Sequence, residues 1–309
     1  MPADRTRRER AVEHRQGSTL RGVVTISLMT VNVLVCCAPL FVVALARLLV
    51  PLPPWRRFTS RVLTLIAEAW IGANQTIFRL MGSLPLAVRG VEGLPPREWY
   101  LVVSNHRSWV DILVLQSIFN RRIPFLKFFL KQQLIWVPVL GLAWWALDFP
   151  FMKRHSREYL ERNPGARGQD LEATRRACRH FSAMPTSVMN FVEGTRFTEA
   201  KRIALASPFR HLLPPRAGGV AFVLSAMGGI LHSMLDVTIA YRESQPTLWD
   251  LCCGRLRTVQ VDVLRRPLEP WWSQGDYNED AAFRERFQAA LTRLWAEKDA
   301  RLATMLGGA

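Results

Sequence analysis

From Val23 to Ala46 the chain carries no charged residue, and arginines bracket this run: Arg5, Arg7, Arg8, Arg10, Arg15 and Arg21 before it, Arg47, Arg56, Arg57 and Arg61 after it. Coiled as a helix, such a stretch can reach through about 30 Å of hydrocarbon, so a lipid environment is the first constraint on the fold. A cleaved signal peptide has a shorter apolar core and a small-residue exit. Ala44-Leu45-Ala46 imitates the exit, but the run is too long, and an uncleaved anchor is the expectation. With both flanks basic, the arginines set no orientation. Pro51, Pro53 and Pro54 then interrupt the chain before a second apolar helix expected from Arg61 to Met81, broken only by Glu68 and Arg79. Two helices with basic ends on one side suggest a hairpin dipping into one leaflet. The alternatives are one span plus a surface helix, or a second helix that belongs to the core of the following domain.

The formal charge of +16 is mostly arginine, since only Lys127, Lys131, Lys153, Lys201 and Lys298 are lysines among 41 basic residues. Anionic partners follow, either phosphates or an anionic lipid surface. Nucleic acid is not expected, because no zinc knuckle, basic zipper or aromatic RNA-binding signature accompanies the charge. Cys36 and Cys37 sit in the apolar run, Cys252 and Cys253 are adjacent and Cys178 is alone, which is no disulfide framework and fits a reducing compartment.

From Leu84 onward β-type runs alternate with helical ones. Strands are expected at Leu84 to Gly90, Tyr100 to Val103, Ser187 to Val192, Leu235 to Tyr241 and Thr258 to Leu264. Helices are expected at Val110 to Asn120, Leu126 to Leu147, Gln169 to Ala183 and Gly219 to Leu231. The alternation indicates an α/β fold, a sheet flanked by helices. A last amphipathic helix puts Phe283, Phe287, Ala290, Leu291 and Leu294 on one stripe, with Asn278, Glu279 and Asp280 at its start. The domain reading is a basic tail (1–22), membrane-anchoring helices (23–81), an α/β domain (82–270) and the C-terminal helix packed on it (271–309).

Three clusters carry possible chemistry. The strand at Tyr100 ends in Ser104-Asn105-His106-Arg107-Ser108-Trp109-Val110-Asp111, so a histidine lies on a strand-to-helix loop with a carboxylate in the first turn beyond it. Asp111 can hold one imidazole nitrogen while the other takes a proton. Equally, Ser108-x-x-Asp111 fits a helix capping box and His106 is then an ordinary loop residue. No Gly-x-Ser-x-Gly elbow is present, so a functional pair would activate a substrate hydroxyl rather than an enzyme serine. The second cluster is Glu193-Gly194-Thr195-Arg196, also at a strand's carboxyl end, where ligands collect in α/β sheets. Gly194 permits close backbone approach, Arg196 can fork onto phosphate oxygens and Glu193 can accept from a hydroxyl; a surface turn with a Glu-Arg pair is the alternative. The third is the basic end of Asp148-Phe149-Pro150-Phe151-Met152-Lys153-Arg154-His155, where Arg154 is either a phosphate ligand or a cationic helix cap. Lys131 is a weaker candidate, with snorkelling at a membrane edge as its other role. The stretch Ile135 to Leu147, with Trp136, Trp144 and Trp145, either lines an acyl-chain channel or is a buried core helix. No metal-ligand spacing occurs among the histidines, and no metal is expected.

Taken together, Asn105-His106-x-Ser108-x-x-Asp111, Phe151-x-x-Arg154, Phe191-x-Glu193-Gly194-Thr195-Arg196 and the apolar Val237 to Tyr241 resemble, in order and separation, the four blocks of the glycerolipid acyltransferase family. The resemblance covers about residues 84 to 265. It implies an acyltransferase α/β sheet preceded by a membrane-embedded helical hairpin, with His106 as general base and Asp111 as its orienting partner. Glu193 and Arg196, with Gly194 and Thr195 of the same motif, would bind the acceptor, and Arg154 would contact its phosphate. It further implies a lysophospholipid acceptor, foremost lysophosphatidate acylated at its sn-2 hydroxyl to phosphatidate, and an acyl-CoA or acyl carrier protein donor without other cofactor. The location implied is a bacterial inner membrane with the catalytic domain on the cytoplasmic side. Phe197-Thr198 and the segment Leu213 to Gly219 resemble the branch containing lysocardiolipin and related lysophospholipid acyltransferases. Another lysolipid acceptor, or a catalytically silent membrane-binding homologue, are therefore the alternatives.

Overall fold

A computed structural model describes residues 2–152, 184–243 and 245–307 of the chain, with side chains from Ser18 onward. The expected helix Gln169 to Ala183 and Arg154 lie outside the described residues. Two long helices come first, α1 (Pro2–Leu49) and α2 (Pro53–Leu80). Helix α1 runs back through the basic stretch expected as a tail, a segment rich in arginine, glutamate and alanine in which Gly17 and Gly22 are the weakest interior helix formers and Pro2 sits at the first position. The chain turns at Val50 to Leu52, and Pro53 and Pro54 occupy the first positions of α2, where their missing amides cost nothing.

Helix α2 buries Thr59, Leu63, Ala67, Ile71, Asn74 and Phe78, a three-and-four residue stripe laid against α1. Asn32 of α1 pins the pair by donating to Asn74 Oδ1 and to the carbonyl of Trp70, both at 2.9 Å. The segment Ser18–Leu49 is long and apolar enough to cross a membrane and keeps most of its surface outward. Both ends of that segment nevertheless dock on the rest of the protein. Arg255 reaches Ser18 Oγ at 3.0 Å, and Arg47 forks onto Asp148 at 2.9 and 3.0 Å. At 1.5 Å rise per residue these attachments lie roughly 40 Å apart, so α1 lies along the domain instead of standing off it.

The domain is built on a six-stranded sheet in the order β1-β8-β7-β2-β6-β3. Its strands are β1 (Leu86–Arg89), β2 (Tyr100–Ser104), β3 (Leu126–Phe128), β6 (Ser187–Phe191), β7 (Ser233–Ala240) and β8 (Val259–Pro267). All neighbours are parallel except β7 and β8. Every residue of β2 and β7 is buried, as expected of central strands covered on both faces. Alternation along β2 sends Tyr100 and Val102 to one core and Leu101 and Val103 to the other. The first core also takes α1, α2 and α3 (Val110–Phe119). The second takes α6 (Ala217–Met227) and α8 (Ala281–Gly307), the latter through Phe287, Leu291, Leu294 and Trp295. Asp280 accepts from the Phe283 amide at 3.0 Å at the start of α8, as its sequence suggests. Two short helices, α5 (Glu199–Ala204) and α7 (Leu248–Cys252), complete the connections.

The expected helix Leu126 to Leu147 is not one element. It divides into β3, β4 (Leu130–Lys131), a 3-10 turn (Gln132–Trp136) and α4 (Leu140–Ala146), and β4 pairs with β5 (Phe151–Met152) in a second small sheet. Pro138 cannot sit inside such a helix, and the open edge of β6 recruits Leu126 to Phe128 as a strand. Gly141 is forced by the turn, since a Cβ there would fall 2.0 Å from the Ile135 carbonyl oxygen. The tryptophans do not form one buried core helix: Trp136 is 84% and Trp145 46% exposed, while Trp144 is half-buried against the first core. The helix expected from Gly219 to Leu231 starts two residues earlier, at Ala217, and ends in a 3-10 turn at Gly228–Ile230.

Candidate active site

Strands β2 and β6 lie side by side and parallel, with Ser104 opposite Phe191. The loops that follow them therefore leave the sheet at the same edge, the carboxyl end where α/β folds place ligands. Asn105 turns the first loop away from the sheet by donating to the Ile239 carbonyl and accepting from the Ile239 amide, both at 2.9 Å, so it stitches the end of β2 to β7.

His106 Nδ1 lies 2.8 Å from Asp111 Oδ2. The same oxygen accepts the amides of Arg107 and Ser108 at 2.7 and 2.9 Å, while Ser108 Oγ accepts the Val110 amide at 3.1 Å. The carboxylate that accepts the loop amides is also the one bonded to the imidazole, so the cap and the orienting partner, two alternatives on sequence grounds, are compatible in one geometry. The opposite oxygen, Oδ1, accepts the Tyr241 hydroxyl at 2.6 Å. Asp111 is fully buried, and the His106 side chain retains 15% exposure. Its ring stacks on Phe191 with centroids 3.9 Å apart and planes 15° apart. With Nδ1–H directed at Asp111, Nε2 carries the lone pair and is the nitrogen left to act as a base.

Tyr241 is the residue that sequence reasoning missed. It stands just past the end of β7, 2% exposed, and burial followed by the neighbouring Asp111 holds its phenol well above the usual range, so the hydroxyl keeps its proton and donates a hydrogen bond to Asp111. The only trace in the sequence is an aromatic with a polar tip closing an apolar strand.

In the second loop, Glu193 is 1% exposed and both its oxygens are engaged inside the protein. Oε1 accepts the His106 amide at 3.0 Å and Oε2 the Leu213 amide at 2.9 Å. Glu193 thus fastens the backbone of the histidine loop, with no oxygen turned to solvent. Burial pushes its carboxyl up to about 7, against the opposing pull of the two amides. Gly194 takes φ +67°, where a side chain is strained, and a Cβ there would also press to 3.0 Å from Arg216 Cδ. Thr195 Oγ1 accepts Lys201 Nζ at 2.7 Å. Arg196 is exposed and does not pair with Glu193; its guanidinium stands 5.3 Å over the ring of Trp109, itself exposed beside His106. The Phe197 amide closes the two loops together by donating to the His106 carbonyl at 2.7 Å.

Lys131 is exposed on β4, in register with Met152, and so belongs to the second small sheet rather than to the strand ends around His106. Among the described residues no group of histidine, cysteine, aspartate or glutamate side chains could hold a metal ion. Of the amides at the start of α3, those of Arg107, Ser108, Val110, Asp111 and Ile112 have partners, and that of Trp109 has none among the described residues.

Residues 85–242 match a family model described as Acyltransferase. The chain is 28% identical over 255 residues to the 1-acyl-sn-glycerol-3-phosphate acyltransferase delta of Macaca fascicularis, an alignment covering 78% of this chain and 60% of the relative. It is also 28% identical over 215 residues to the gamma enzyme of Mus musculus, covering 66% and 52%. The chain therefore spans less than two thirds of the length of these curated relatives. Among solved structures, the 1-acyl-sn-glycerophosphate acyltransferase of Thermotoga maritima superposes with a TM-score of 0.48 at 14% identity, covering 90% of this chain and 98% of that one. The family match takes in both strand-end loops and Tyr241, and on it the chain belongs to the acyltransferase family.

Proposed function

We propose that the protein transfers a fatty acyl chain from a thioester donor to the sn-2 hydroxyl of 1-acyl-glycerol-3-phosphate, giving phosphatidate, while held in one leaflet of a membrane. The observation that carries this reading is the His106–Asp111 pair, with no partner on Nε2 among the described residues, together with Arg196 over Trp109 in the adjoining loops. His106 Nε2 removes the acceptor hydroxyl proton as the oxygen attacks the thioester carbonyl carbon. The tetrahedral oxyanion collapses, the carbon–sulfur bond breaks, and the imidazolium returns its proton to the departing thiolate. Asp111 stabilises the imidazolium, Glu193 and Asn105 fix the loop that carries it, and Tyr241 fixes Asp111. Arg196 takes the acceptor phosphate by a forked contact, Thr195 and Gly194 shape the turn that presents it, and the Trp109 amide is the donor available to the oxyanion.

Membrane attachment is supported by the outward apolar surface of α1 and by the exposed Trp136, Leu142 and Trp145 of the neighbouring α4 region. A helix tied to a water-facing domain at Ser18 and again at Arg47 fits a hairpin lying in one leaflet better than one threading through both.

The test is to offer the purified protein a labelled acyl thioester with a panel of lysolipids. Lysophosphatidate is expected to be acylated fastest, and His106→Ala to cut transfer by about 10³-fold or more without releasing the protein from membranes. Full activity of His106→Ala, or a stronger preference for lysocardiolipin or a neutral lysolipid, sinks the mechanism or the acceptor respectively.

A further inference from the structure

A cavity of about 620 Å³ adjoins the same two loops, walled by Arg107, Phe197, Arg202, Arg210, His211 and Gln245 among others. It lies next to the reacting centre, because Arg107 follows His106 in the chain and Phe197 is bonded through its amide to the His106 carbonyl. Its charge is lopsided. Glu199 is the only carboxylate of the lining, and it is taken by Arg202 through three bonds of 2.6 to 3.0 Å. Asp299, nearby on α8, spends both oxygens on the backbone amides of Arg210 and His211 at 3.0 and 2.7 Å, fixing the loop that carries them. The guanidiniums of Arg107 and Arg210 have no carboxylate within ion-pair distance among the described residues.

Arg107 is the telling one. Its guanidinium lies 4.7 Å over the Phe197 ring, and burial pulls its pKa down from the ordinary arginine range. Arg107 is half-buried and has no ion-pair partner of its own among the described residues, its charge being offset only at longer range by Glu193 and Asp111, so its guanidinium is open to charge-assisted bonds with an anion. The volume falls in the range of small-molecule clefts and exceeds what a single phosphate fills. Arg196, by contrast, lies over Trp109 and is not one of the residues of this lining. A transfer between two phosphate-bearing substrates requires two anion sites near one base, and Arg196 and the cavity lined by Arg107 and Arg210 are the two candidates.

We propose that this cavity takes the phosphorylated nucleotide end of a coenzyme A thioester, with Arg107 and Arg210 on its phosphates. The inference rests on the acyl-transfer reading above for the identity of the donor. A carrier-protein donor would present a protein surface to a cleft sized for a nucleotide, and is the outcome against which the test is set.

Adenosine 3′,5′-bisphosphate is the probe, titrated calorimetrically into membrane-reconstituted His106→Ala protein so that binding is read apart from turnover. Saturable binding is expected, weakened about tenfold by the additional Arg210→Ala change, the size of one charge-assisted contact. Arg210 is exposed, so this change does not disturb the core. In the otherwise wild-type enzyme, Arg210→Ala should raise the acyl-CoA KM about tenfold and leave the acceptor KM and the use of acyl carrier protein thioesters unaltered. The proposal is overturned by absence of bisphosphate binding, by equal binding in the Arg210→Ala protein, by a shift in acceptor KM instead of donor KM, or by activity confined to carrier-protein thioesters. Transfer without bisphosphate binding removes the pocket's role alone. Bisphosphate binding without transfer from any thioester removes the acyl-transfer reading, and the pocket's donor role with it.

Discussion

The loops that leave β2 and β6 each bury one carboxylate, and the two carboxylates do different work. Asp111 is surrounded by the imidazole of His106 on one oxygen and the phenol of Tyr241 on the other, with two amides added. Glu193 meets only backbone amides, one from each flanking segment. A carboxylate held by side chains that can exchange protons responds when His106 becomes charged. A carboxylate held by amides cannot respond in that way, and instead sets where His106 stands. The loops divide the task accordingly: the first supplies the base and its electrostatics, while the second supplies a backbone strap inward and a guanidinium outward.

The largest effect expected from breaking this division is structural. Glu193→Ala leaves the His106 and Leu213 amides buried without an acceptor, at about 1–3 kcal/mol each, so the melting temperature should fall by several degrees or more and activity with it. A melting temperature within a degree of wild type would show that the strap carries nothing. The pH dependence sharpens the point. Burial raises the folded-state carboxyl to about 7 from an ordinary 4.5, so its contribution to stability is complete below pH 4.5 and is lost as pH rises through 7. The wild-type melting temperature should therefore decline between pH 5 and 8, and Glu193→Gln, which cannot ionise, should show a shallower slope over the same window.

Much of this site can be read from the chain because its parts are local. Asn105, His106 and Asp111 follow a strand and open a helix within seven residues, and the strand-end position of Glu193 to Arg196 is equally plain. What is not local is not legible. Tyr241 reaches Asp111 across 130 positions of sequence, through the register of β7 against β2. The inward turn of Glu193 depends on the Leu213 amide, which no spacing announces. The segment from Leu126 has the apolar content of a helix, yet the vacant edge of β6 and Pro138 divide it, a case of tertiary pairing overriding propensity. The hairpin was legible as two apolar helices, while its attachment at both ends depends on side chains of Arg255 and Asp148 far along the chain.

A smaller effect tests the outward half of the second loop. Arg196 touches no carboxylate among the described residues and lies over an exposed ring, so its removal should leave the fold intact. Arg196→Ala should raise the acceptor KM by about tenfold with kcat changed far less, and Arg196→Lys should recover only part of the loss because the fork is gone. If the donor KM rises instead, the assignment of one anion site to each substrate is reversed.

The smallest effect is the most discriminating for the first loop. Tyr241→Phe keeps the ring that packs in the core and removes only the hydroxyl that donates to Asp111 Oδ1 at 2.6 Å. A hydrogen bond to a charged group contributes about 1.5–3 kcal/mol, but it is present both before and after His106 takes its proton, so only the difference between those states reaches the rate. A several-fold fall in kcat is expected. The carboxylate, relieved of one donor, would hold the imidazolium more strongly, and the acidic limb of the kcat/KM profile should move to higher pH. A packing role alone would lower the melting temperature and leave that limb where it was. An unmoved limb with normal kcat would reduce Tyr241 to a core residue and leave Asp111 to orient His106 unaided.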